Sequence, residues 1–461
     1  MKKKIYFLLL LITFSVFNPK PVVKGETNQH NRPKNVILMI GDGMGLGQME
    51  IARMFEYGRE GKLFIETLPH VGLVHTYSAN NVVTDSAAGG TALATGVKTN
   101  NGMIGMSPDK KEVDSILDKF KANGKKVGVI STNTVTDATP ASFTASVQNR
   151  WDGQYEIAKQ QLKLNVDVLL GGGSQFFQKR DERGASLIDE FKNKGYSYVT
   201  NRTELSKAKG EKLLGLFNSS YMSFKLDQEV LKSNEPSLTE MTQKGIEFLS
   251  KGETGFFLIV EGARIDHAAH SSDITGIWKE TIEFDQAVKG AVNWANTRND
   301  TLVIVVADHE TMGISLTEPI ALNELKNIKV SPAYMASKLI RKKTKDGYTE
   351  KSIKDVFKTY AHIELSNEEV KKFNESIENS KDQVYKKFKV SWEIGNLISE
   401  HYQAGIVRNE VRSISKTGGH TGNMIPIFAF GKGAEVFDGV MDNTDVPKRI
   451  ENLMGYEFLE E

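Results

Sequence analysis

Seven short apolar runs punctuate the chain: Asn35–Ile40, Val71–Tyr77, Lys126–Ile130, Val166–Leu170, Phe256–Val260, Leu302–Ala307 and Ile425–Phe430. Most are continuous in Val, Ile, Leu and Phe rather than alternating with polar residues, as in strands covered on both faces. Between them, apolar positions recur at helical spacing over Glu112–Lys121, Gly153–Gln161, Leu187–Lys194, Leu238–Leu249 and Ile277–Asn293. Two-sided strands alternating with helices predict an α/β fold. Its form is a three-layer sandwich, with a large, mostly parallel central sheet flanked by helices. No internal repeat is visible.

One stretch breaks the rhythm. From about 319 to 415 strand signals are scarce and Lys and Glu abundant, with helical patterns over Thr349–Tyr360, Ser366–Ile377 and Ser391–Arg408. It reads as a mainly helical insertion between the last two core strands, or equally as peripheral helices of the same domain. At the other end, Lys2, Lys3 and Lys4 precede the apolar run Ile5–Phe17, the pattern of a secretory signal. The run is short for a membrane span. The expectation is a signal over residues 1–25, one domain over 26–461, no stable membrane anchor after cleavage, and a periplasmic or secreted product.

Charge and cysteine content narrow the chemistry. The 461 residues carry 59 Lys plus Arg and 58 Asp plus Glu, a net charge of +1. Residues 1–25 hold five lysines and no acid, so their loss moves the charge from +1 to −4. A mildly acidic chain is not a basic nucleic-acid binder, and no specific nucleic-acid partner is expected. There is no cysteine. Disulfides, thiolate catalysis, Cys-ligated zinc and iron–sulfur clusters are thereby excluded. Any metal site must use His, carboxylates and hydroxyls.

Acids follow four of the predicted strands: Asp42, Asp137, Glu261 and Asp308. Ligands of open α/β sheets bind beyond the carboxyl ends of the strands. One acid there is a common turn or cap residue; four on one rim call for a cation. Asp308-His309 ends a strand, and Asp266 and His270 share a face if their segment is helical. His420 lies in the glycine-rich Lys416-Thr-Gly-Gly-His-Thr-Gly loop and reads equally as a surface residue. Ser86, in Thr84-Asp85-Ser86-Ala-Ala-Gly-Gly, is a candidate nucleophile at a helix start, or a plain cap. No G-x-S-x-G or histidine triad accompanies it. Arg150 can clamp an anion bidentately. His30, His362 and His401 read as solvated, and His70 and His75 as structural. Together these residues favour metal-assisted hydrolysis of an anionic ester, leaving phosphate and sulfate, hydrolysis and transfer, unseparated.

In this order the motifs resemble the alkaline phosphatases over most of the chain: Gly41-Asp42-Gly43-Met44-Gly45, Thr84-Asp85-Ser86-Ala87-Ala88, Asp137-Ala-Thr139-Pro140, Glu261 to His270, Asp308-His309 and Gly419-His420-Thr421-Gly422. The resemblance implies two Zn(2+) and one Mg(2+) per chain. Asp266, His270 and His420 would hold the first zinc. Asp42, Asp308, His309 and Ser86 would hold the second, and Asp42, Asp137, Thr139 and Glu261 the magnesium. It also implies Ser86 as nucleophile through a phosphoserine, Arg150 as phosphate clamp, phosphate monoesters as small-molecule substrates, and a homodimer. His267, a position that varies in the family, would pair with Asp137 or contact phosphate through water. Glu310 receives no role. The alternatives are a phosphodiesterase of the same superfamily and a non-catalytic phosphate- or metal-binding protein. The missing cysteine argues against a sulfatase, which would ordinarily need one to modify.

Overall fold

The computed structural model describes residues 32–456 except 181, 183, 344–346, 379–384 and 405–414. The expected signal and His30 lie outside these residues. The described strands are β1 (Asn35–Gly41), β2 (His70–His75), β3 (Lys126–Thr134), β4 (Val168–Gly172), β5 (Tyr196–Val199), β6 (Lys212–Leu216), β7 (Phe256–Gly262), β8 (Thr301–Val306), β9 (Glu310–Thr311), β10 (His420–Thr421), β11 (Ile425–Gly431) and β12 (Gly439–Asp442). Ten form one sheet in the order β12-β2-β11-β8-β1-β7-β3-β4-β6-β5. Neighbours are parallel except where β11 meets β2 and β8, so β11 runs against the others. Helices cover both faces, as the three-layer expectation requires.

All seven predicted runs are strands of this sheet. β1, β7 and β8, at its centre, are buried along their whole length, which explains their unbroken apolar sequences. Sequence reading missed β5, β6 and β12. β5 and β12 are four-residue edge strands with half-polar or exposed faces, so they lack the long apolar signal. The helix Leu238–Leu249 spans its predicted range, opened by a Ser237–Glu240 capping box. The predicted 277–293 helix runs over Ile274–Asn296, because Asp273 caps it and accepts from Gly276 N. The predicted 112–121 helix starts only at Ile116, where Ser115 supplies the cap.

Register fixes the site. Ile40 pairs with Glu261 and with Val306, and Ser131 pairs with Glu261. Asp42, Glu261, Asp308 and the loop leading to Asp137 therefore emerge along one carboxyl rim. β9 and β10 pair antiparallel, His420 opposite Thr311 and Thr421 opposite Glu310. This short ribbon sets His309 and His420 side by side.

The region from 319 to 415 contains the helices Glu350–Val356, Asn367–Glu378 and Lys389–His401. The predicted helix to Arg408 stops at His401 within the described residues; positions 405–408 lie outside them. The region leaves after β9 and returns at β10, so it lies between β8 and β11, the last two of the seven predicted runs, and the edge strand β12 follows β11. Its helix Lys389–His401 packs tightly on the rim. A Cβ on Gly395 would fall 1.6 Å from Ser271 O. Ser272 Oγ donates to Asn396 Oδ1 at 2.9 Å, and Ser399 Oγ to Ser272 O at 2.7 Å.

Candidate active site

Ser86 begins the helix Ser86–Thr95, all of whose residues are buried. Its Ala and Gly residues permit this: a Cβ on Gly89 would lie 2.9 Å from Asp308 O. Asp85 is the cap, accepting from Ala88 N at 3.0 Å. Ser86 Oγ lies 3.1 Å from His309 Nε2. That nitrogen is also 3.4 Å from Asp42 Oδ1 and 3.3 Å from Asp308 Oδ2. Gly43 makes the turn after Asp42 possible. Its φ is +69°, and a Cβ there would meet Asp266 Cα at 2.9 Å.

A second cluster adjoins the first. Asp266 and His270 share a face of the helix Arg264–His270, and Asp266 Oδ2 lies 3.2 Å from His270 Nε2. His420 Nε2 lies 3.2 Å from His270 Nε2 and 3.7 Å from Asp266 Oδ1. Each imidazole is oriented by its far nitrogen. His270 Nδ1 donates to Gly418 O at 2.9 Å and His420 Nδ1 to Thr84 O at 3.0 Å. Thr311 Oγ1 donates to Asp266 Oδ1 at 2.6 Å and so accepts from His309 Nδ1 at 3.2 Å. All three rings thus turn an Nε2 lone pair inward, as metal-ligating histidines do.

The donor spacings fit a cation. Donors about 2.0–2.2 Å from a tetrahedral zinc stand about 3.3–3.6 Å apart, close to the 3.1–3.7 Å separations found around His309 and around His420. Two lone pairs facing each other across 3.2 Å repel unless positive charge lies between them. Asp42 Oδ1, Asp308 Oδ2, Thr139 Oγ1 and Glu261 Oε1 are buried oxygens without a hydrogen bond, a costly state that a metal would relieve. Asp42, Asp308 and His309 form one potential metal-holding group and Asp266, His309 and His420 another.

Asp137, Thr139 and Glu261 make an oxygen-only corner. Glu261 Oε2 accepts from Ser131 Oγ. Asp137 Oδ2 accepts from Asn133 Nδ2 at 2.9 Å and from Arg150 Nη2 at 3.2 Å. Hard oxygen donors of this kind suit magnesium.

The electrostatics agree. Burial pushes Glu261 up to about 8. Burial, then the charges of Asp308 and Asp266, raises Asp42 well above the ordinary range. Asp308 is raised by burial too. Burial acts to raise Asp266 as well, but His270, His420 and His309 outweigh it and hold that carboxyl low. Burial holds His420 well below its ordinary value, as neutral ligation requires.

Arg150 is 7% exposed. Burial disfavours its charge, and Asp137 and Asp85 more than compensate. Its Nε is buried without a partner, a donor available to an anion. Arg150, Ser86, Asp266 and His267 share one cavity of about 160 Å³. His267 does not pair with Asp137, which Asn133 and Arg150 engage. Its Nδ1 instead accepts from Arg264 Nη1 at 2.5 Å, and burial with the Arg264 charge holds it well below its ordinary pKa. His362 and His401 are exposed, as expected; His75 is exposed as well, and His70 is half-buried beside Asp438.

Several working residues escaped the sequence reading. Ser131, Thr311 and the carbonyls of Thr84 and Gly418 act through tertiary contacts with no local signature. Glu310 now has a position: it is 3% exposed, and its two oxygens accept from Gln48 Nε2 (2.9 Å), Ile314 N (3.2 Å), Gly313 N (3.1 Å) and Thr421 Oγ1. It ties the β9–β10 ribbon to the helix Leu46–Tyr57, which sequence reading also missed.

Residues 33–456 match the family model described as alkaline phosphatase. Alkaline phosphatase 4 of Bacillus subtilis is 36% identical over 426 residues, covering 89% of this chain and 87% of the relative. The crystal structure of the Thermus thermophilus alkaline phosphatase superposes with a TM-score of 0.81 at 27% identity, covering 96% of each chain. That of a cold-active alkaline phosphatase from a psychrophilic Shewanella gives 0.75 at 30% identity, covering 91% of this chain and 99% of the other.

Proposed function

The chain belongs to the alkaline phosphatase family, and from that premise we propose that it hydrolyses phosphate monoesters through a phosphoserine on Ser86 at a centre of two zinc ions and one magnesium. Its general activity is phosphate-monoester hydrolysis at a metal-binding site. The finer reading is carried by one observation: Ser86 Oγ stands 3.1 Å from His309 Nε2, among inward-turned donors at zinc-like spacing.

Asp266, His270 and His420 would hold one zinc; Asp42, Asp308, His309 and Ser86 Oγ the other; and Asp42, Asp137, Thr139 and Glu261 the magnesium. Bound there, the cations would lower the pKa of the Ser86 hydroxyl and offset charge on the phosphoryl and leaving oxygens. Arg150 holds two non-bridging phosphate oxygens with its fork, exchanging its contacts to Asp85 and Asp137 for the substrate. Ser86 Oγ forms a bond to phosphorus as the ester oxygen's bond breaks. Overall, the proton lost by Ser86 appears on the departing alcohol. Water then breaks the Oγ–P bond, and Ser86 recovers a proton as inorganic phosphate leaves. His267, kept neutral with Nδ1 accepting, offers Nε2–H to a phosphate oxygen or its water.

We also propose export after loss of residues 1–25, and assembly as a homodimer. Among the described residues no helix is long and apolar enough to cross a membrane.

The test is hydrolysis of an aryl phosphate monoester and the matching diester with zinc and magnesium, then with chelator. Preferential diester cleavage supports the phosphodiesterase alternative instead. Monoesterase activity that survives verified metal removal overturns the metal-dependent reading. Phosphate trapped covalently on the parent should be absent from Ser86→Ala; persistent labelling would identify another nucleophile.

A further inference from the structure

The cavity over Ser86 has a wall that phosphoryl transfer does not require. Trp151, Tyr221, Phe224, Tyr385, Phe388 and Trp392 line it. They come from three distant segments: the residue after the phosphate clamp, the loop after β6, and the helical region between β9 and β10. The rings connect. Trp151 meets Tyr385 edge-on at 6.2 Å, and Tyr385 meets Trp392 at 5.3 Å. Phe388 stacks on Trp392 at 6.3 Å and lies 6.3 Å from Tyr221.

This collar is anchored to the reacting floor. Trp392 stacks on His270 with centroids 5.3 Å apart and planes 17° apart. Trp151 lies over the Arg150 guanidinium, 4.7 Å from ring to Cζ. The helix carrying Trp392 is locked to Ser271 and Ser272 by the close approach at Gly395. A collar that merely filled the interior of the helical region would be sealed. Trp392 is sealed, at 6% exposure, but Trp151 is 46% exposed at the cavity mouth. A half-open indole beside a phosphate clamp leaves apolar area for a ligand to cover.

The dimensions set the class of ligand. The cavity of about 160 Å³ is shared between the phosphoryl floor at Ser86 and Arg150 and the aromatic wall, so beside a phosphoryl group it leaves space for a small, flat group at its open end rather than a bulky one. With the phosphoryl group at Arg150 and Ser86, a ring joined to it by one or two atoms is offered Trp151, which adjoins the guanidinium at 4.7 Å, and Tyr385, which adjoins Trp151 at 6.2 Å. We propose that Trp151 and Tyr385 form a leaving-group subsite that selects phosphate monoesters whose alcohol carries a flat aromatic ring. This rests on the monoesterase reading above and names its substrate class.

The test compares benzyl phosphate with cyclohexylmethyl phosphate on the zinc- and magnesium-loaded protein. Both reach through one carbon, and they differ in the flat aromatic face. Aromatic pairing predicts that the parent favours the benzyl ester by about fivefold or more in kcat/KM. Trp151→Ala and Tyr385→Ala should each shrink that ratio, and the double variant should bring it within about twofold of unity. Trp151→Phe should retain most of it. Benzylphosphonate and cyclohexylmethylphosphonate, which do not react, should show the same ratio as inhibition constants. A parent without the preference, or a preference that survives the double substitution, overturns the subsite while leaving the monoesterase reading standing. Failure of the loaded parent to cleave either ester overturns both.

Discussion

Replacing Glu310 by Gln is a searching test of how the site is held. The carboxylate accepts four hydrogen bonds, two on each oxygen, from Gln48, Ile314, Gly313 and Thr421. Glutamine keeps one accepting oxygen but turns an amide NH2 toward two donors. The Thr421 hydroxyl can rotate to accept from that amide; the backbone N–H groups cannot. One or two charge-assisted bonds are therefore lost, each worth about 1.5–3 kcal/mol, and a buried N–H is left unsatisfied. The net expectation is a destabilisation of about 3 kcal/mol. The loss falls on the ribbon that orients His309 and His420. Glu310 bonds to Gln48, Gly313, Ile314 and Thr421 and to no ligand directly, so zinc affinity should drop by up to about 10-fold, the low end of the effect of removing a direct partner of a metal ligand. Chelator-competition titration of zinc and thermal denaturation of the loaded protein read the two effects. Activity should return at high zinc, because no reacting group has been removed. Parent-like zinc affinity together with less than about 1 kcal/mol of destabilisation would refute the assignment of Glu310 as the pin of this ribbon.

Three further outcomes are expected. Gly43→Ala combines a φ of +69° with a Cβ 2.9 Å from Asp266 Cα, and should cost about 3 kcal/mol and loosen zinc, read by denaturation and zinc retention; a neutral effect contradicts the packed turn. Burial pushes Asp273 from 3.8 to about 7, so ionisation opposes folding and the parent loses stability as pH rises through that interval. Asp273→Asn removes this dependence, and its stability relative to the parent should improve by about 3 kcal/mol between about pH 5 and 8; an equal gap at both pH values refutes a protonated Asp273. Glu261, raised to about 8, and Asp42, also raised, must shed protons to ligate, so magnesium affinity should climb with pH up to about 8 and then level. Calorimetry in buffers of different ionisation enthalpy should register proton release on binding; affinity constant from about pH 6 to 9 would count against that coupling.

Much of the centre was legible because its residues terminate apolar strands. Asp42, Glu261 and Asp308 each follow an unbroken buried run, and parallel register aligns such ends. Asp266 and His270 were legible through helical spacing. What could not be read is whatever depends on distant segments meeting. Thr311 orients His309 and Asp266 together only because β9 approaches the helix Arg264–His270. Glu310 looked like one more acid until β10 and the helix Leu46–Tyr57 enclosed it. The aromatic collar was invisible because Trp151, Tyr221 and Trp392 share no spacing. The edge strands β5 and β12 escaped because short, partly exposed strands carry too few apolar positions to register.

The β9–β10 ribbon pairs only two residues on each side, yet it closes the excursion running from about 319 to 415. Once the ends of an excursion are pinned, the entropy of closing it grows only with the logarithm of its length, about 0.6 kcal/mol for each doubling. The clamp at Glu310 therefore decouples two histories within one chain. The histidines at the neck stay fixed, while the stretches of the segment away from the helix Lys389–His401, whose Gly395 and Trp392 pack on Ser271 and His270, can lengthen or shorten at little entropic cost.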